Sequence, residues 1–188
     1  SIIMRVAGAI GETEMAASHV VMQYMLLIAL GLDGFAHATE ALAGSAWGER
    51  NAVAFRRWVR LTGLWGLAAS VVYSALFWLG GNAITAVLTD IAEVRESVAL
   101  IMPLVIALPI ISIACYQFDG VFIAATAGAA MLVTMAFSFA VYMLALGPLS
   151  DNWGLAGLWV AVLIFMAVRG IAQAAWYPRL VAQLKDRD

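Results

Sequence analysis

The chain has 188 residues, of which 64% are hydrophobic and 12% are charged, and its formal net charge is −2. Soluble domains average about 45–50% apolar and about 25% charged residues, so this composition is typical of a membrane protein. Basic residues form no patch outside the short segments between apolar runs, so no nucleic-acid partner is expected. The single cysteine, Cys115, excludes an internal disulfide.

Long apolar runs predict an all-α, polytopic transmembrane helix bundle. A helix of about 20 apolar residues crosses the hydrocarbon, and runs this continuous are unlike the alternating, roughly ten-residue strands of a membrane barrel. The first run, 1–11, is a half-span, and we expect the helix to which it belongs to begin upstream. Residues 1–188 are then one transmembrane unit. Full spans are predicted at 14–47, 58–89, 94–127, 129–148 and 153–181.

The connections between these spans carry turn residues and charges, with one exception. Four of them contain the sequences GETE, GERNAVAFRR, TDIAEVRES and LGPLSDNWG. The connection between the third and fourth spans must fall near TAGAAM, where Gly128 is the one turn residue and no charge is present. A turn of this kind is unusual between two spans. We therefore expect residues to be missing from the sequence near 127–131.

Arginine and lysine in the short connections predict the orientation of the bundle, because they favour the cytoplasmic side. If the connection after the first full span is cytoplasmic, Arg95 is the one basic residue of the connections that lies outside. Arg5 and Arg169 lie within spans or near their ends. The residues placed inside are Arg50, Arg56, Arg57, Arg60, Arg179, Lys185 and Arg187.

Three ionisable residues interrupt the first full span in the stretch GLDGFAHATEALAG, residues 31–44. Asp33, His37 and Glu40 are spaced i, i+4, i+7, which places them on one narrow stripe of a helix. A carboxylate at the bilayer centre costs about 2.5–3.5 kcal/mol on insertion scales, so it normally faces a cavity or a partner and marks an ion path. The same side continues through His19, Gln23 and a GxxxG pair, Gly44 and Gly48.

Two interpretations of this stripe are open. In the functional one, Asp33 faces a cavity and takes part in ion coupling, with His37 and Glu40 in supporting roles. In the structural one, His37 pairs with one of the two acids to hold helices together, or Glu40 faces water near the inner end. We favour the functional interpretation for Asp33 and leave His37 and Glu40 open.

A second acid, Asp119, lies in the third full span within CYQFDGVFIAAT, with Tyr116 and Gln117 beside it as candidate supporting residues. Pro103 and Pro109 precede it in the same span. Proline in a transmembrane helix frees a carbonyl and bends the helix, which is common in transporters but also serves packing alone.

Two acids on neighbouring spans favour cation-coupled transport, because a desolvated carboxylate can load and release a proton or a sodium ion as its surroundings change. Arg169, in the last span, is an intramembrane cation that either pairs with such an acid or extends to the inner surface. It is the third candidate supporting residue.

Enzyme signatures are absent from the sequence. HExxH, GxSxG and a glycine-rich phosphate loop are not found, and His37-x-x-Glu40 reverses the order of the di-metal motif. We therefore predict no catalytic activity, no metal site and no cofactor beyond a coupling ion, H+ or Na+.

Two stretches resemble a known family. GETEMAASHVVMQYMLLIALGLDGFAHATEALAGSAWGER resembles the segment from the seventh loop to the eighth helix of the multidrug and toxic compound extrusion (MATE) family, and LDGFAHATEALAG and YQFDGVFIAAT are similar to its DinF-like branch. The resemblance runs over nearly the whole chain in the same order.

The resemblance implies twelve helices in two six-helix lobes that alternate access to a central site. This chain would be the second lobe, with the N-terminal six-helix lobe as its missing partner. Members export cationic or amphipathic toxic compounds in exchange for protons or sodium ions. Asp119 matches the tenth-helix aspartate implicated in cation coupling, and Asp33 matches the eighth-helix aspartate of the branch.

Two features depart from the family pattern. The acidic residue of helix seven and the first-helix aspartate used for protons in this branch belong to parts that lie outside this chain. The basic residues usual between helices ten and eleven are replaced by TAGAAM.

The leading hypothesis is therefore the C-terminal half of a cation-coupled drug antiporter of the bacterial inner membrane. The alternatives are a flippase for lipids or lipid-linked oligosaccharides, whose cavities tend to be strongly basic, and a non-transporting membrane scaffold.

Overall fold

The structure, a computed structural model, describes residues 2–185, and within that range every regular element is a helix. The predicted all-α class is therefore confirmed. Arg187, one of the basic residues predicted to lie inside, falls outside the described residues. The helices are α1 (Ile2–Ile10), α2 (Glu12–Gly48), α3 (Ala52–Leu88), α4 (Ala92–Ala124) and α5 (Gly128–Lys185).

Helices α2 to α5 are each long and apolar enough to cross a membrane. At a rise of 1.5 Å per residue, the 37 residues of α2 and of α3 extend roughly 55 Å. The hydrocarbon core is about 30 Å thick, so each of these helices also reaches into the headgroup layers. The multi-pass membrane class predicted from composition is confirmed.

Helix α5 is folded back on itself at Gly154. The backbone there has φ 54° and ψ −128°, which is not helical. Tyr142 and Phe165 would be roughly 34 Å apart in a straight helix, yet their ring centroids are 5.8 Å apart. Helix α5 therefore consists of two antiparallel arms, residues 128–153 and residues 155–185. Counted separately, these arms and α2 to α4 make five long helices after the short α1, and the predicted bounds of the spans stay a prediction.

The connection between α2 and α3 is shorter than the sequence indicated. The segment GERNAVAFRR was predicted as a loop, but only residues 49–51 lie between the two helices. The Asn51 side chain accepts a hydrogen bond from the Ala54 amide at 2.9 Å and so caps the start of α3. An N-cap of this kind satisfies one of the free amides at a helix start, which lets the helix begin before the apolar run.

The turns after α2 and after α4 use the same backbone motif. The Asn51 amide donates to the Ala46 carbonyl, and the Ala127 amide donates to the Phe122 carbonyl, each at 2.9 Å. These are the six-to-one bonds of a Schellman motif, with Arg50 (φ 57°) or Thr126 (φ 52°) in the left-handed position. Residues 125–127 thus close the α4–α5 turn without further chain, and the gap expected there stays a prediction.

Interhelix contacts define how the spans pack. Helix α3 runs antiparallel to α2, with the Tyr24 hydroxyl donating to the Gly81 carbonyl at 2.8 Å. Helix α3 is also antiparallel to α4, where Ser74 donates to the Ile106 carbonyl at 2.7 Å. Helix α4 continues through Pro103 and Pro109. Consequently α2 and α4 are parallel, and the second arm of α5 packs along α4.

Basic side chains collect at one end of the bundle. Phe55, at the start of α3, stacks on Tyr177 near the end of α5, with ring centroids 6.2 Å apart. Arg56 and Arg179 lie on these two helix ends, and the Arg179 guanidinium is 4.9 Å from the Trp176 ring centroid. Arg95 lies at the opposite end. The described basic residues predicted to lie inside therefore share one end of the bundle, and the orientation in the membrane stays a prediction.

Replacing Gly154 with alanine tests the hairpin. Nothing lies within 4 Å of a Cβ built there, so the cost arises from the left-handed backbone alone, about 1–3 kcal/mol. We expect Gly154→Ala to lower the thermal unfolding midpoint of the full-length protein in detergent. Gly80→Ala, in α3, is the control, because its Cβ would make only an ordinary contact, 3.9 Å from Ile84. Equal midpoints for the two variants would contradict the strained turn.

Candidate functional site

The ionisable stripe of α2 lies on one exposed side of the helix, which we call the polar face: His19, Gln23, Asp33, His37 and Glu40. Asp33 and His37 are exposed, and Glu40 is partly buried. The His37 Nδ1 atom lies 3.6 Å from a Glu40 carboxylate oxygen, and the His37 side chain is 77% exposed. The predicted spacing is therefore correct. His37 and Glu40 contact each other and, among residues 2–185, make no hydrogen bond or ion pair with a second helix.

The exposed side of α3 along its membrane-spanning part is apolar. On α3 the exposed side chains that face away from α2 and α4 include Leu64, Leu67, Val71 and Trp78, which we call the apolar face. Such a surface suits contact with lipid. The polar face does not, because charged groups in hydrocarbon are costly. The bundle thus has two chemically distinct exposed sides.

Asp119 is bound by two side chains of the second arm of α5. Its Oδ2 accepts a hydrogen bond from Arg169 Nη2 at 2.6 Å, and its Oδ1 accepts one from Gln173 Nε2 at 2.7 Å. Gln173 is fully buried, and the Arg169 and Asp119 side chains are 12% and 20% exposed. Of the two interpretations of Arg169, pairing with an acid is therefore the correct one. We refer to these three residues as the Asp119 clamp.

Two atoms of the clamp have no hydrogen-bond partner among the described residues: Arg169 Nε and Gln173 Oε1. Each is buried, and each would normally be satisfied by water or by a ligand. Asp33 lies one helical turn before Ala36, which packs against Gly120, so its charge acts on Asp119 and Tyr116. The structure thus brings Asp33, Tyr116, Asp119 and Arg169 into one electrostatic neighbourhood at the edge of the polar face.

Gln117 lies on a different side of α4 from the clamp. Two residues along a helix turn the side chain by about 200°, and Gln117 is buried between α2 and α3. Its amide donates to Thr62 Oγ1 at 2.8 Å and to the Val59 carbonyl at 3.1 Å, and its oxygen accepts from Thr39 Oγ1 at 3.1 Å. Through these hydrogen bonds Gln117 joins α2, α3 and α4, and its side chain points away from Asp119.

Glycines set the helix spacing around the clamp. A Cβ on Gly120 would collide with the Ala36 carbonyl oxygen, and one on Gly170 would lie 2.8 Å from the Ala114 side chain. Both glycines directly follow a clamp residue in sequence. The predicted Gly44–Gly48 pair is wrong as a packing motif. Gly44 does face Ala124, but nothing lies within 4 Å of a Cβ on Gly48, which ends α2.

A groove of about 450 Å³ runs beside the N-terminal part of the polar face. Its walls are mainly apolar, with His19, Gln23 and the Tyr116 side chain as polar groups. Within residues 2–185, His, Cys, Asp and Glu side chains form no group of three able to hold a metal ion.

Comparison with known proteins gives consistent results. The MatE family model matches residues 1–149. The chain is 35% identical over 175 residues to the DNA damage-inducible protein F of Escherichia coli (strain K12), covering 90% of this chain and 37% of that protein. It is 31% identical over 166 residues to Protein DETOXIFICATION 42 of Arabidopsis thaliana, covering 85% of this chain and 31% of that protein.

The fold also matches a solved structure, described as the outward-facing conformation of a multidrug resistance MATE family transporter of the MOP superfamily. The TM-score is 0.76 at 17% identity, over 99% of this chain and 44% of that chain. The sequence matches, with this fold, establish that the chain belongs to the MatE family, and its similarity to DNA damage-inducible protein F confirms the DinF-like branch. The chain spans less than half the length of each of these three proteins.

Gly120→Ala tests whether the close approach of α2 and α4 beside Asp119 is required. The added methyl meets backbone, which cannot rotate away, so the two helices must separate at a cost of about 1–3 kcal/mol. We expect a lower thermal unfolding midpoint for the full-length protein. Gly48→Ala, which meets nothing, is the control and keeps the parental midpoint. A tolerated Gly120→Ala would show that this approach is not needed.

Proposed function

We propose that this chain is the C-terminal lobe of a cation-coupled antiporter that exports cationic or amphipathic compounds by alternating access. The observation that carries the proposal is the polar face of α2, which keeps Asp33 exposed in the interior of a membrane-spanning helix. A carboxylate in that position requires water, an ion or a second protein surface.

A cavity between two lobes meets that requirement. The relatives are two to three times longer than this chain, so each has enough further sequence for another helical lobe. If that lobe packs opposite the polar face, water between the lobes solvates Asp33 and His37. Lipid then covers only the apolar face of α3.

Coupling needs a group whose occupancy changes with its surroundings, and carboxylates that border a cavity within the membrane fit that role. Asp33 and Asp119 are the proposed cation-coupling residues, with H+ or Na+ as the ion and no other cofactor. Tyr116 and Arg169 are the supporting residues closest to them. His37 and Glu40 extend the acidic side of the same cavity towards the inner end.

The groove beside His19 and Gln23 suits an amphipathic substrate. Its walls are mainly apolar and offer a large contact area, and its few polar groups set orientation rather than strict specificity. A cationic head would be attracted to the nearby Asp33. The solved relative is described as a multidrug resistance transporter, and a groove with these properties is compatible with a broad substrate range. The basic inner end and apolar exterior suit the bacterial inner membrane.

The flippase alternative requires a basic cavity for anionic lipid headgroups. Arg169 is the described cation of the Asp119 clamp, and Asp119 already neutralises its charge. In a scaffold, Asp33 would have no function to offset the free-energy cost of placing a carboxylate within the membrane. Both alternatives therefore agree less well with the charges of the site than the antiporter does.

Neutralising the proposed coupling acids tests the assignment. In the full-length transporter we expect Asp119→Asn and Asp33→Asn each to reduce drug resistance of the host about tenfold or more, since an uncharged amide neither takes up a proton near neutral pH nor balances the charge of a sodium ion. Membrane abundance should stay at the parental level. Asp151→Asn, at the exposed turn of α5, is the control. Full resistance in both acid variants would refute the proposed roles.

Dye efflux from proteoliposomes separates the three functions. For the antiporter, an imposed proton or sodium gradient drives export of a cationic dye, and the export stops when the gradient is dissipated. A flippase would move fluorescent lipid under these conditions and leave the dye in place. A scaffold would move neither.

A further inference from the structure

The structure points to Arg169 as a tethered cation that competes with the transported cation for Asp119. This inference rests on the proposed function and adds to it a specific competitor. In this structure, the Arg169 guanidinium is bound to the Asp119 carboxylate, which a coupling ion would need. Exchange then consists of the guanidinium leaving as the proton or sodium ion arrives, and returning as that ion departs.

The first argument is occupancy. Both oxygens of Asp119 accept short hydrogen bonds, 2.6 Å from Arg169 and 2.7 Å from Gln173. A sodium ion needs several oxygen ligands, and a proton needs a free oxygen lone pair in reach of water. Each therefore gains access to Asp119 only when the clamp loosens.

The second argument is charge balance. Asp119 and Arg169 together are neutral, so an added cation would leave a net positive charge in a region of low hydration. Moving Arg169 away as the cation arrives keeps one positive charge on the carboxylate throughout. The exchange then changes the free energy of the site little. Alternating access requires two states of similar free energy.

The third argument is that a second acid lies on the helix beside the clamp. Gly120 packs against Ala36 of α2, one helical turn after Asp33. Among the described residues, the titratable groups that interact electrostatically with Asp119 or Arg169 include Asp33 from α2 and Cys115 and Tyr116 from α4. Of these, only Asp33 is an exposed acid. Arg169 Nε, buried and unpartnered among residues 2–185, is a donor still free to bond as the side chain swings.

Gln173 is a positioning residue in this scheme. Its side chain is fully buried and fixes Asp119 Oδ1, while its own Oε1 remains unpaired within the described part of the chain. Gly170, between the two clamp positions of α5, holds that arm against Ala114 and Cys115. The carboxylate thus keeps its place while Arg169 moves.

The test measures the concentration of the driving cation that half-saturates dye exchange by the full-length transporter in proteoliposomes. The driving cation is the proton or sodium ion, whichever supports exchange in the parent. Arg169→Gln removes the competitor. We therefore expect half-saturation at about tenfold lower cation concentration, because the free energy of a charge-assisted hydrogen bond corresponds to a change in affinity of about that size. The maximal exchange rate should fall, because nothing then displaces the bound cation.

Two further variants keep the test decisive if Arg169→Gln does not accumulate in the membrane. Arg169→Lys retains the charge but loses the planar fork, so it competes less well and should lower half-saturation by about two- to fivefold. Gln173→Leu frees one oxygen of Asp119 and should shift half-saturation in the same direction. Arg179→Gln, whose guanidinium lies over Trp176 at the inner end, is the charge-matched control and should change neither value.

An unchanged or higher half-saturating concentration in the Arg169 variants would overturn the competition. A purely structural ion pair would lower abundance or maximal rate without moving half-saturation. Failure of the proposed function looks different. In that case Asp119→Asn retains the cation dependence of the parent, whatever the Arg169 variants do.

Discussion

The hydrogen bonds of Asp119 to Arg169 and Gln173 are the interaction on which the site depends. They join the C-terminal part of α4 to the second arm of α5 at buried positions, where unpaired polar groups are costly. Helices must approach closely for such short bonds to form, and Gly120 and Gly170 provide the approach on either side of α4. The two glycines and the ion pair therefore depend on the same close packing of α2, α4 and the second arm of α5.

The sequence predicts much of this arrangement but not all of it. Long apolar runs are enough to place the crossing segments, and the i, i+4, i+7 spacing is enough to place Asp33, His37 and Glu40 on one face. Gln173 was missed, because an uncharged residue in an apolar span gives no strong signal. Its position four residues after Arg169 was the one available indication.

Other misses have local causes. Predicted helix starts followed hydropathy, so the capped beginning of α3 at Asn51 lay outside the apolar run. A glycine spacing identifies which glycines share a face but not whether a partner helix reaches them, and Gly48 lies past the end of the interface. Gln117 adjoins Asp119 closely in sequence, yet the helical turn directs it into bonds with Thr39 and Thr62.

The central claim is that the polar face borders water between two lobes, and cysteine accessibility in the membrane tests it most directly. Gly34, beside Asp33, is exposed with open space around it, and Leu67 on the apolar face lies at the same depth, because Phe35 packs against Gly66. In a full-length transporter with Cys115 replaced by alanine and no other reactive cysteine, a charged thiol reagent should modify Gly34→Cys and leave Leu67→Cys unmodified. Equal protection of both positions would contradict the account.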